Sequence, residues 1–561
     1  MTKIKEKNKL PFPKEKILQD YRLAYKSRQA SLIGRREVLS GKAKFGIFGD
    51  GKEVAQLAIS HAFKKGDWRS GYYRDQTWLL GLGVLTFEQF FAQLYAHADV
   101  DFEPATGGRA MNAHFASRYL NPDGSWKDQT QLYNISADVS PTGSQMPRLV
   151  GLAFASRLYR ESKDLKEFDT FSNNGNEVAW GTIGNASTAE GMFWESVNAI
   201  GVLKAPAVIT IYDDGFGISV PNKFQMVKEN IGEIISGFQR ATKPDEERDR
   251  GYDIYTVRAW DYPALLDTYW AAAKTAREFH IPALVHVTEV TQPQGHSTSG
   301  SHERYKSKER LAWEREFDGN LKMREWMLEK GIVDDEALTA LEKEDRRAVE
   351  NSRKQAWQSF QSPILAERDE VINLLATLRE EAPVKEEIKD IQTKLIGKPT
   401  AHRRDQHAAV HAALRIVRQE SASAREKLIA WKQAQNLRNE PRFSSHLNSQ
   451  TENSILKVEA VPPIITEKSP KIQAFDLLNH AFDAIFARDS RVIAFGEDVG
   501  MLGAVNQGFH DLQQKYGTLR VMDTGIREVT ILGQAIGMAM RGLRPIAEIQ
   551  YLDYMLYALQ L

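Results

Sequence analysis

The sequence contains no cysteine. Disulfides, thiolate nucleophiles and cysteine-ligated zinc or iron–sulfur centres are thereby excluded. A surplus of either charge is also missing. Lys and Arg together number 74, as do Asp and Glu, so no bulk field favours nucleic acid or an anionic membrane surface. No run reaches the ~18–20 apolar residues of a membrane span. The opening MTKIKEKNKLPFPKEK is basic but lacks the apolar core of a secretory signal. Cytoplasmic is the default expectation. What is present is ordinary globular composition, 42% hydrophobic and 26% charged, over 561 residues. That is enough for two or three domains with real cores.

One stretch organises the rest, from Thr182 to Pro221. VAWGTIGN is a short apolar run ending in Gly184 and Asn185. The small residues Ala186, Ser187, Thr188 and Ala189 follow, which lets backbone approach a ligand before a helix opens at Glu190. The helix carries Phe193, Trp194, Val197, Ile200 and Leu203 on one stripe and stops at Pro206. AVITIY is a buried-strand run ending in Asp213, Asp214 and Gly215. Two polar turns at the carboxyl ends of strands joined by one crossover helix lie side by side, where open parallel sheets bind ligands.

This stretch resembles the thiamine diphosphate motif of the first, decarboxylating component of 2-oxo acid dehydrogenase complexes. The family pattern is Gly-acid-Gly, a helix, a strand, then Asn-Asn. Asn185 and Asp214 stand 29 positions apart, the family spacing. The residue types depart from the pattern: Asn185 replaces the acid, Ala186 the following Gly, and Asp213-Asp214 the Asn pair. One carboxylate and one amide oxygen are still offered, with swapped addresses, and Mg2+ accepts either hard oxygen donor. The resemblance makes Asn185, Asp214 and the Phe216 carbonyl the metal ligands. It implies an α/β protein of the thiamine-diphosphate-binding fold, with parallel sheets flanked by helices.

The same resemblance assigns further residues along the chain. Tyr73 and Arg74 match a pair that holds the diphosphate, and the Arg fork suits an anion. A His that reaches the phosphate in the family is Ile47 here, a departure. Ser140 and Thr142 match cofactor-lining positions just before a helix that opens at Gln145. Gly184, Ala186 and Ser187 flank the metal turn, and Ile218 matches the apolar prop beneath the bent cofactor. His296, in the loop QGHSTSGSHERYKS, falls on the family's active-site His.

From Leu311 to about Leu437 charged residues alternate with apolar ones at helical spacing. His407 and His411, at i and i+4 there, lack the acid partner of a metal motif. A polar, Pro-bearing stretch follows. A second unit begins at Lys471 and resembles the opening of the family's beta half. In it Glu528 matches the acid that bonds the cofactor's pyrimidine ring, and Ile526, Gln550 and Tyr554 match further contacts. The expected layout is an arm at 1–16, an alpha-like diphosphate-binding domain at 17–330, a helical region at 331–437, a linker at 438–470, and the incomplete start of a beta-like pyrimidine-binding domain at 471–561. The small-residue helix from Ile531 to Met540 is read as a dimer contact.

The resemblance implies oxidative decarboxylation of a 2-oxo acid with thiamine diphosphate and Mg2+. The acyl unit then passes to the lipoyl group of a partner acyltransferase. Glu528 and His296 would be the catalytic residues, in a homodimer of fused chains. GRAMNAHF and GHSTS lean toward branched-chain substrates. The alternatives are a pyruvate or acetoin dehydrogenase component, or a degenerate non-catalytic subunit, for which Ile47, Asn185 and Ala186 speak.

Overall fold

The computed structural model describes residues 10–559 and 561, except 242–249, 399, 421–422, 446, 448 and 453. Residues 1–9 of the expected arm lie outside the described residues. Six parallel strands form the main sheet: β1 (Trp68–Ser70), β2 (Asn134–Ile135), β3 (Ala179–Gly184), β4 (Ala207–Tyr212), β7 (Asp253–Arg258) and β8 (Ala283–Thr288). Their order is β2-β1-β3-β4-β8-β7. Between β4 and β7 a small antiparallel hairpin is made by β5 (Phe216–Gly217) and β6 (Val220–Pro221).

Both faces of this sheet are covered, which is why β4 is apolar but for Thr210, whose hydroxyl bonds Tyr269. Ala207, Ile209 and Ile211 point into one core with the helices Gln145–Glu161 and Gly191–Val202. Val208 and Tyr212 point into the other, against Glu53–Ala62 and Tyr262–Phe279. The crossover helix starts at Gly191, after a short 3-10 turn at Ala186–Ala189.

A 47-residue helix, Asp335–Glu381, leaves this unit. At ~1.5 Å per residue it is about 70 Å long. Its first part is tied to the helix Lys14–Leu39, Arg22 gripping Asp345 at 2.7 Å and Tyr21 donating to Glu342. Its second half packs with Lys385–Ile396, Arg403–Ile416 and Ser423–Ser444 around Val371, Leu375, Ile388, Val410 and Leu428. The last of these helices runs through Pro441 to Ser444, so the start of the expected linker is helical. Its buried Leu428, Trp431 and Gln435 keep it docked up to a proline near its final turn. His407 packs against Trp431, their ring centroids 5.4 Å apart and tilted. No cluster of three His, Asp or Glu suited to a metal occurs among the described residues.

The second unit has a three-stranded parallel sheet, β9 (Val492–Gly496), β10 (Val521–Asp523) and β11 (Arg544–Ala547), in the order β10-β9-β11. Its helix Glu528–Met540 corrects the expectation of a dimer contact. The small residues face the helix Gln145–Glu161 of the same chain. A Cβ on Gly533 would lie 2.3 Å from Pro147 Cβ, and one on Gly537 would lie 2.3 Å from Arg148 O. Gly151 returns the contact, its missing Cβ falling 1.9 Å from Gln534 O. The two helices run in parallel with their N-termini together. Arg541, fully buried, locks the far end. It donates to Leu152 O, Ser156 Oγ and Glu177 Oε2, the last at 2.9 Å. One hydrophobic core therefore runs through both units, from Leu149 and Ile183 to Phe495 and Met538. Among the described residues no helix is long and apolar enough to cross a membrane.

Candidate active site

Parallel register brings the two polar turns together. Gly184 pairs with Tyr212, and Asn185 N donates to Tyr212 O at 2.9 Å. Asn185 and Asp214 thus leave adjacent strand ends and enter one cavity of about 300 Å3. Tyr73, Arg74, Thr142, Gly184, Ala186, Ser187, Phe216, Ile218 and His296 line it with them.

The donor set at the paired turns suits a hard cation. Asn185 is buried and gives its Nδ2 to Asn222 Oδ1 at 2.6 Å. Its amide oxygen is therefore the atom left for a ligand. Asn222 is held in turn by Asp213, whose other oxygen meets His286 Nε2 at 3.0 Å. The two acids of the turn are separated in role: Asp213 braces this amide chain, and Asp214 faces the cavity. Phe216 N caps Asp214 Oδ1 at 3.0 Å, and Arg310 holds the Asp214 carbonyl at 2.8 Å. An amide oxygen, a carboxylate and a backbone carbonyl fit Mg2+, which keeps waters in its remaining positions.

The anion end is built from cations. Arg74 donates to Phe48 O, to His296 O at 2.8 Å and to His296 Nδ1 at 3.1 Å. With Nδ1 accepting, the ring proton sits on Nε2. Burial, reinforced by Arg74 and Lys52, pushes His296 down to about 3, so it is a neutral donor at physiological pH. Ile47, at the position where the family carries another His, is buried, and its backbone exchanges bonds with the Asn112 amide. Ile218 stands at the tip of the β5–β6 hairpin with φ of 60° and 63% exposed. A β-branched residue in the left-handed region is strained, and such strain concentrates at functional positions. Ala186 meets Gly217, whose added Cβ would fall 2.6 Å from the Ala186 methyl. The extra methyl at position 186 is accommodated by a glycine opposite.

Other expected residues are not brought to this cavity. Ser140 bonds His114 Nε2 at 3.0 Å instead. Glu528, Ile526, Gln550 and Tyr554 stand at the carboxyl ends of the second sheet. Gln550 donates to Asp498, Tyr554 packs on Tyr551, and Ile526 is 83% exposed. Glu528 is half-buried at the head of its helix. It raises the carboxyls of Glu195 and Glu497, after the larger effect of their burial. Glu195 rides on the helix Gly191–Val202, whose preceding Glu190 lines the cavity. Thr530 ties that helix to the second unit by donating to Glu195 Oε2 at 3.3 Å. Several lining residues were not anticipated, among them Lys52, Tyr72, Tyr212, Gln292 and Lys306. Tyr72 directly precedes the Tyr-Arg pair, a usable signal; the others depend on loop packing.

The profile of the dehydrogenase E1 component matches residues 21–364. The chain belongs to this family. The transketolase pyrimidine-binding domain profile matches residues 470–560. The chain is 27% identical over 298 residues to the 2-oxoisovalerate dehydrogenase subunit alpha of Bacillus subtilis, covering 53% of this chain and 77% of that one. It is 40% identical over 109 residues to the 2-oxoisovalerate dehydrogenase subunit beta of Pseudomonas aeruginosa, covering 19% and 26%. It is 46% identical over 80 residues to the pyruvate dehydrogenase E1 component subunit beta of Acholeplasma laidlawii, covering 14% and 24%. The chain thus spans about three quarters of the alpha relative and about a quarter of each beta relative. An alpha-like and a beta-like E1 segment stand in one polypeptide, both of the α/β class with parallel sheets flanked by helices. Residues 365–469, which hold most of the helical bundle, match neither profile.

Proposed function

We propose that this E1 family member decarboxylates a 2-oxo acid with thiamine diphosphate held on Mg2+, and passes the acyl unit to the lipoyl group of a partner acyltransferase. The observation that carries the reading is the convergence of two oxygen donors, Asn185 and Asp214, with Arg74 and His296 in one cavity at paired strand ends. The names of two relatives, 2-oxoisovalerate dehydrogenases, favour a branched-chain substrate. We infer a cytoplasmic protein working as a dimer of fused chains; the exposed Ile526, Leu552 and Leu556 support an assembled form.

When bound, thiamine diphosphate supplies a carbon nucleophile and an electron sink. The chain supplies the rest. Asn185 Oδ1, the Asp214 carboxylate and the Phe216 carbonyl would hold the cation. Arg74 and His296 Nε2–H would donate to the phosphate. Ile218, at the hairpin tip, would offer the cofactor an apolar contact. Glu528 would share a proton with a pyrimidine ring nitrogen.

Calorimetric titration of the whole chain with thiamine diphosphate, with and without Mg2+, tests this. Saturable binding that requires Mg2+ and is lost in Asp214→Ala is expected. Turnover of several 2-oxo acids with a dye acceptor then ranks the substrates. Absence of saturable binding overturns the enzyme reading in favour of a non-catalytic subunit, which Ile47 and the exchanged metal turn would then explain.

A further inference from the structure

Two glycines drive a lysine into the phosphate end of the cavity. A Cβ on Gly49 would fall 2.2 Å from Arg74 O, and one on Gly51, at φ of 88°, would fall 1.9 Å from Thr291 O. Only glycine lets this loop wedge between the Tyr-Arg turn and the segment after β8. The next residue, Lys52, is 3% exposed and lines the cavity.

Lys52 Nζ donates to Gln292 Oε1 at 2.8 Å. An ammonium has three donors, and burying one without a carboxylate partner is costly. The nearby acids are engaged elsewhere. Glu53 is clamped by both forks of Arg28, and Asp50 accepts from Gln294 N. With Asp214 they act on Lys52 only through space, too weakly to offset burial and Arg74, and the ammonium is pushed down to about 8. The other end of the same amide, Gln292 Nε2, is buried with no partner among the described residues. Gln292 also lines the cavity and is 3% exposed. Two buried donor groups with spare hydrogens thus sit beside Arg74 and Asp214, and what they lack is an anion.

We propose that Lys52 and Gln292 form a phosphate-binding pair that takes the terminal phosphate of the diphosphate, alongside Arg74. This rests on the thiamine diphosphate reading of the cavity. The Arg28–Glu53 clamp and the glycine wedge fix the pair before binding, so little order remains to be gained when the anion arrives.

The test is calorimetry on the full chain with Mg2+, using thiamine diphosphate and inorganic diphosphate as separate probes. Lys52→Met should weaken both probes by the same factor, about 10- to 100-fold, and Lys52→Arg should stay close to wild type. Gln292→Glu sets a carboxylate against the ammonium and should weaken both probes as well. Without ligand, Lys52→Met should melt no lower than wild type, because a buried charge without an acid partner has been removed. Unchanged diphosphate affinity in Lys52→Met overturns the pair. So does a Lys52→Met protein that melts well below wild type while Lys52→Arg also loses affinity, since Lys52 would then serve the fold. Lys52-dependent binding of inorganic diphosphate without binding of thiamine diphosphate supports the pair and overturns the cofactor reading. A wild-type chain that takes neither probe overturns both.

Discussion

The carboxyl ends of the two sheets make opposite kinds of site. The six-stranded sheet ends in a cavity where three cations, Lys52, Arg74 and Lys306, face two carboxylates, Asp214 and Glu190. The three-stranded sheet ends in an open acidic surface. There burial, then Glu528 and Asp498, raises the Glu497 carboxyl, and burial, then Glu497 and Asp498, raises that of Glu548; Glu528 stands at the next helix head. Both follow from the same parallel-sheet rule, which gathers loops at strand carboxyl ends. The difference lies in what those loops carry. A polyanion fits the first, and a group that accepts a shared proton fits the second.

The sharpest way to break this comparison is to mutate one acid on each side. Glu528→Gln should lower turnover by about 10²- to 10⁴-fold while leaving the affinity for thiamine diphosphate within a few-fold. Asp214→Ala should do the reverse in kind, abolishing Mg2+-dependent binding before chemistry is reached. Steady-state kinetics combined with calorimetry checks both. A Glu528→Gln variant with full turnover would dissolve the division of labour.

The first site was more legible than the second for a physical reason. Asn185 and Asp214 are joined by one crossover unit, and a right-handed strand–helix–strand fixes their adjacency locally. Lys52 was illegible because its address depends on where the glycine loop lands against Thr291, a contact across 240 positions of chain. The small-residue stripe of Gly533 and Gly537 announced close packing, but periodicity cannot name the partner helix, and the partner is in the same chain. Arg541 carried no sequence signal at all, since an arginine between two helical residues and a glycine reads as a solvated helix end.

That arginine decides how firmly the two sites are coupled. Arg541→Met leaves Glu177 buried with only the Ser172 hydroxyl and the Asn173 amide as donors. A loss of about 3–5 kcal/mol in unfolding free energy is expected, read from urea denaturation. The double variant Arg541→Met with Glu177→Gln should recover part of it. Gly537→Leu attacks the same interface by sterics, since even its Cβ would lie 2.3 Å from backbone. Overpacking of this kind costs about 1–3 kcal/mol, and unfolding should become biphasic if the second unit detaches first.

The smallest effect concerns acid, and it distinguishes the sites by sign. His296 has its folded value pushed down to about 3 by burial, Arg74 and Lys52. The unfolded chain binds a proton at this residue near the ordinary ~6.5, so between these limits the unfolded state holds more protons. Stability at this residue therefore rises with pH across the window and is lost as pH falls through ~6.5. Between pH of about 6.5 and 5 the loss approaches about 2 kcal/mol. The raised carboxyls of Glu497 and Glu548 act oppositely, binding protons more readily when folded, so acidification to their unfolded range strengthens the second sheet. Urea midpoints for wild type and His296→Gln, measured across this range, should show a shallower decline in the variant. Histidine 15N spectra should keep the His296 signal in its neutral Nε2–H form down to pH 5. A His296 that titrates near 6.5 would not be held neutral by burial beside Arg74 and Lys52, and the contrast in sign between the two sites would lose one of its supports.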